Sequence, residues 1–212
     1  CDIECRGIVY SYEINAWNDW TRKSKGQIMS FVYTKRELCI KKRGTKMLRD
    51  RLKKDLLIFD GAMGTQLQNA GLKAGEIPEV YNIEYPEIII DIHERYLKAG
   101  ADFITANTFG CNPLKMNDSG YCYCDLLKAA IKNAKIARER VNKEAYIVLD
   151  IGPIGQLLEP LGTLSFDEAY EIIASQVLMV KDDVDVVLLE TMTDLYEVKA
   201  GILAVKENSD LP

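Results

Sequence analysis

Four times over, a short run of strand-forming residues gives way to a longer segment with helical periodicity, and this alternation constrains the fold more than any other feature of the chain. The pairs are "LLIFD" (56–60) with "PEIIIDIHERYLKAG" (86–100), and "DFITAN" (102–107) with "DLLKAAIKNAKIARERV" (125–141). "AYIVLD" (145–150) follows with "SFDEAYEIIASQVLMVK" (165–181), then "DVVLLE" (185–190) with "TDLYEVKAGILAVKE" (193–207). Strands that are apolar on both faces and separated by helices form parallel sheets with crossover connections. The strand ends Asp60, Asn107, Asp150 and Glu190 lie 47, 43 and 40 residues apart, a steady βα unit. A longer first loop, 68–85, is placed to cover a site.

Local signals support these boundaries. Ser165 with Glu168 reads as a capping box, Pro86 suits a first helical position, and Gly100 stands where a helix end needs positive φ. The fold class expected is α/β, with about four βα units forming the front half of a (β/α)8 barrel. A doubly wound sheet is the alternative.

Before this regular part, residues 1–46 carry ten Lys/Arg against five Asp/Glu, whereas 47–212 carry seventeen against twenty-seven. The first segment shows no apolar period and is read as a basic extension outside the native fold. A nucleic-acid arm is the weaker reading of it. The second segment, 47–212, is read as the barrel part, stopping before a fifth strand. No run of about 18 apolar residues and no signal-peptide pattern occurs, so a soluble cytoplasmic protein with no membrane or nucleic-acid partner is expected.

The six cysteines have no C-x-x-C pairing, and the one histidine, His93, falls inside a helical segment, so neither suggests a metal site. Chemistry in parallel α/β folds collects at the C-terminal ends of strands. Here those ends read Asp60-Gly-Ala-Met-Gly, Thr105-Ala-Asn107-Thr108, Asp150-Ile-Gly-Pro and Glu190-Thr, with carboxylates and a carboxamide but no basic residue. Such a mouth suits a cation. Asp60 can accept from an ammonium group, with Glu190 as a second acceptor. The N–H groups of Ala62 and Met63, in a turn opening a helix, can donate to a carboxylate. Together they complement the two ends of an α-amino acid.

"DGAMGT", "YNIEYPEIIIDIHERYLKAGAD", "ITANTFG", "DIGPIG" and "LLETMTDLYEVKAGILAVK", in this order, resemble the homocysteine S-methyltransferase domain over about residues 48–212. The likeness is strongest to that domain of the bacterial cobalamin-dependent methionine synthases. The resemblance implies a barrel that binds homocysteine, with Asp60 and Glu190 at its amino end, Ala62 and Met63 at its carboxylate, and Asn107 and Thr108 lining the mouth. It also implies zinc held by three cysteines, whose ligands are expected beyond residue 212, with cobalamin and methyltetrahydrofolate on other domains of the parent. The chain alone then carries recognition groups without the metal that activates the thiol. The alternatives are a non-catalytic amino-acid-binding fragment or pseudoenzyme, a methyltransferase with a sulfonium donor, and a fusion to a methylenetetrahydrofolate reductase.

Overall fold

The computed structural model describes residues 48–212. The reading of residues 1–46 lies outside the described residues. After a helical turn at 48–51 and an extended segment come α1 (Met63–Asn69), a 3-10 turn (Pro78–Val80), α2 (Tyr81–Glu84) and α3 (Pro86–Ala99). Then β1 (Phe103–Thr105), α4 (Tyr123–Val141), β2 (Tyr146–Ile151), α5 (Phe166–Val180), β3 (Val186–Leu189) and α6 (Leu195–Asn208) alternate.

The strands form one parallel sheet in the order β1-β2-β3, with Phe103 opposite Tyr146 and Val148 opposite Val186. The segment expected as a first strand, 56–60, is reduced to one parallel bridge between Phe59 and Phe103. It lies at the sheet edge, where pairing on one side only leaves Leu56 and Ile58 exposed and little to hold a longer ladder. Even so, Phe59 stacks on Phe103 with ring centroids 4.2 Å apart, so the segment lies beside β1. Four extended segments thus follow one another across the sheet in chain order.

Side-chain alternation along the strands divides two cores. Ile104, Ile147, Leu149 and Ile151 point into the large core shared with the helices, while Phe103, Tyr146 and Val148 pack with Leu48 on the other face. By the same alternation Asp150 falls on the Val148 face, at its C-terminal end. β2 is buried along its whole length. β3 is only half-buried, and the N–H of Val187 on its outer side donates to the carbonyl of Pro212 at 3.1 Å.

The local signals read from the sequence appear as structure. Ser165 and Glu168 complete a capping box at α5, Pro86 opens α3, and Gly100 closes α3 at φ 114. A residue with a Cβ would be strained at that φ. α3 packs on α4 and α5 on α6. His93 lies fully buried in α3, as its helical position implied.

Candidate functional site

Three carboxylates converge where the strands end. Asp60 follows the extended segment, and its N–H donates to the Phe103 carbonyl at 3.1 Å. Its Oδ2 accepts from the Thr105 N–H at 2.8 Å and its Oδ1 from the Thr105 hydroxyl at 2.7 Å. Burial raises Asp60 to about 6, against the Thr105 hydrogen bonds that favour its charge; the nearby Glu190 adds to the rise. A backbone hydrogen bond from Asp60 itself also favours the charged form.

Asp150, next to last in β2, is 5% exposed, with no donor reaching its Oδ1. Burial pushes it up to about 8, and next the charge and hydrogen bonding of Glu190, with Asp60 and Glu79 adding further negative charge. Glu190 follows β3 on a backbone fixed by its N–H to the Ile151 carbonyl at 3.2 Å. The next residue, Thr191, has φ 58. A β-branched residue there is a genuine outlier, a conformation that costs about 1–3 kcal/mol and tends to cluster at functional sites.

Asn107 and Thr108, expected to line the mouth, are buried and turned to bracing it. Asn107 donates to the Pro78 carbonyl at 2.9 Å and to Asn82 Oδ1 at 3.1 Å, which ties the 68–85 loop to the end of β1. The Thr108 hydroxyl donates to the Asp150 carbonyl at 2.8 Å and accepts from the Asp150 N–H at 3.1 Å. Buried polar groups need partners, and the Asn107 amide and the Thr108 hydroxyl find theirs inside the protein.

Ala62 caps α1 and is exposed, and Met63 begins that helix. No side chain caps this first turn, so the amides named from the sequence have no side-chain acceptor. The Ala62 carbonyl accepts from the Tyr96 hydroxyl at 3.2 Å, which holds the turn against α3.

Two further acids escaped the sequence reading. Glu79, in the 3-10 turn, is buried and accepts from the Gly110 N–H at 2.6 Å. Burial raises its pKa, while backbone hydrogen bonds and the Lys115 charge oppose the rise. Glu197, buried in α6, accepts from the Ile154 N–H at 2.6 Å and so fixes the loop after β2. The signal for Glu197 was an acid on an otherwise apolar helix face. For Glu79 the loop carried no periodic signal at all. Gly152, in the loop after β2, is a close approach, since a Cβ there would stand 2.5 Å from the Phe109 ring.

Among the described residues no three His, Cys, Asp or Glu are grouped to hold a metal ion. Cys111, Cys122 and Cys124 are free thiols, and buried Cys111 donates to the Tyr123 carbonyl at 3.3 Å. Cys1, Cys5 and Cys39 lie outside the described residues. No helix among the described residues is long and apolar enough to cross a membrane.

The chain is similar to proteins already known. Two curated relatives, both called methionine synthase, come from Mycobacterium leprae and Mycobacterium tuberculosis. They are 32% and 31% identical over 170 residues, covering 74% of this chain. The chain spans 14% of the length of each. Among solved structures, the metallated form of the homocysteine methyltransferase MmuM from Escherichia coli shares the fold at TM-score 0.66 and 21% identity. That match covers 78% of this chain and 64% of the other. The sequence pattern described as homocysteine S-methyltransferase matches residues 57–212, and on that match the chain belongs to the homocysteine S-methyltransferase family.

Proposed function

We propose that residues 47–212 are the homocysteine-binding front part of a (β/α)8 barrel whose parent protein methylates the homocysteine thiol to give methionine. The observation that carries this is the meeting of Asp60, Asp150 and Glu190 at the C-terminal strand ends, with Lys115 acting on the neighbouring Glu79. The barrel reading is supported by the chain-order succession of parallel segments, because doubly wound sheets reverse their strand order at a switch point.

In this reading Asp60 and Glu190 accept from the substrate ammonium, while the Ala62 and Met63 amides donate to its carboxylate. Asn107 and Thr108 are positioning residues that hold the 68–85 loop and the end of β2. The thiol then extends towards the part of the barrel that residues beyond 212 would complete. A zinc-bound thiol is a thiolate able to attack a methyl group. The described residues do not fit that metal, and its ligands are expected in later sequence. Methylcobalamin, recharged from methyltetrahydrofolate on other domains, is the donor that the methionine synthase likeness favours. A soluble cytoplasmic setting accords with that role.

Calorimetric titration of L-homocysteine into the chain tests the assignment. Glu190→Gln is expected to weaken binding about ten- to hundredfold, since each charge-assisted hydrogen bond contributes about 1.5–3 kcal/mol. Asp60→Asn acts in the same direction but also disturbs Thr105, so a melting curve accompanies it. Wild-type affinity in both variants would overturn the reading. The des-amino analogue 4-mercaptobutyrate is expected not to bind.

A further inference from the structure

The acids at the strand ends differ in what neutralises them. Asp60 is met by the N–H and hydroxyl of Thr105, and Glu79 by the Gly110 N–H and the charge of Lys115. Asp150 has neither. Its backbone is held on both sides by the Thr108 hydroxyl, which accepts from its N–H and donates to its carbonyl, so the strand end that carries the side chain is fixed beside the cluster. The titratable groups acting on it are Glu190 from the end of β3, Asp60 from the edge segment and Glu79 from the 3-10 turn, all of them acids. The neighbour within hydrogen-bonding reach is Glu190, itself an acceptor, so that contact closes only through a proton. Even then Oδ1 remains a buried acceptor without a donor, a costly arrangement in the absence of a ligand.

We propose that Asp150 is a further recognition residue, whose carboxyl holds a proton towards Glu190 in the free protein and gives it to solvent as a primary ammonium group binds. The inference rests on the α-amino-acid reading of the site. The balance is simple. The Asp150 O–H bond breaks, its proton leaves to bulk water, and the ligand nitrogen remains –NH3+. That group has three N–H donors, and the site then presents three carboxylates, on Asp60, Asp150 and Glu190, one for each. Selection for an unsubstituted amine follows, because an N-methylated amino acid offers fewer donors and leaves one buried acid unmet. The upward shift of Asp150 places its proton in the range where cellular pH lies below the ionisation point.

The experiment is calorimetry with the chain in chelator, run at about pH 7 in buffers of different ionisation enthalpy. The ligands are L-homocysteine and L-methionine; methionine has no ionisable sulfur, so a proton released with it comes from the protein. Close to one proton is expected to be released per ligand bound. Affinity is expected to rise by up to about tenfold per pH unit between about pH 6 and 8 and then level off. Asp150→Asn is expected to release no proton, to show a flat profile and to bind more weakly above about pH 8, with N-methylmethionine discriminated less than by the wild type. Either ligand suffices for the proton count. Heat independent of the buffer in the wild type, which needs no variant to fold, would overturn this inference while leaving the amino-acid site intact. If neither ligand binds, the α-amino-acid reading falls and this inference falls with it.

Discussion

The two ends of the sheet treat acids in opposite ways. At the N-terminal end Asp102 accepts from Arg51 at 3.4 Å and from the Ile58 N–H at 3.0 Å. Asp185 accepts from Arg138 at 3.3 Å and from the Ile147 N–H at 2.8 Å, and Lys135 pairs with Asp183. A cavity of about 580 Å³ opens there beside Arg51, Arg138, Lys143, Tyr146 and Asp185. Its cations are already engaged, with Lys143 donating to the Ala101 carbonyl at 2.7 Å. At the C-terminal end Asp60, Asp150 and Glu190 face one another, and burial raises both aspartates. Paired acids brace the strand starts, whereas the acids at the strand ends act on one another and leave the buried Asp150 Oδ1 without a donor.

The sharpest way to break this contrast is to neutralise one acid at each end. The folded pKa of Asp150, about 8, lies above its ordinary value of 3.8. Its contribution to stability is therefore present below about pH 4 and is lost as pH rises through about 8. Asp150→Asn should remove that loss and stabilise the ligand-free chain by several kcal/mol at about pH 9, with little change at about pH 4. Urea unfolding at the two pH values measures it. A variant less stable than wild type at high pH would show that Asp150 is braced like its counterparts below.

His93 supplies the opposite limb. It is fully buried with both ring nitrogens unpartnered, and burial pushes it down from 6.5 to about 4. The folded state favours neutral imidazole, so the contribution is whole above about pH 6.5 and fades as pH falls towards 4, by about 3 kcal/mol. Replacing His93 with Leu should flatten that acid limb in melting curves taken across this range. With Asp150 intact the alkaline limb should stay, which separates the two residues.

At the paired end Asp185→Asn should destabilise at neutral pH. The variant weakens an ion pair to Arg138 and the acceptor of the Ile147 N–H, together about 1–2 kcal/mol. A gain in stability there would erase the distinction between the ends. The smallest effect serves as a reference remote from both: Ser165→Ala removes the side-chain half of the α5 capping box and should cost about 1 kcal/mol in thermal unfolding.

Whatever depends on neighbours in the chain was legible in the sequence. Helix α3 between Pro86 and Gly100, the Ser165–Glu168 box at α5 and the three strands β1 to β3 follow from periodicity and capping, which act within a few residues. The same alternation put Asp60, Asp150 and Glu190 at strand ends. The edge segment 56–60 was legible only in part, because ladder length depends on a partner strand on each side. Tertiary packing decided the rest. Thr108 and Asn107 were read as lining the mouth, and packing decided their partners, Asp150 for the one and Pro78 and Asn82 for the other. Glu79 arrives beside Gly110 from 31 residues away, a distance no local pattern spans. Asp60 is marked in the sequence by the glycine-rich turn that follows it, whereas Asp150 carries no comparable mark. What sets it apart is the absence of a donor such as Thr105 in a buried position, a property of three-dimensional surroundings that bring acids together from different segments.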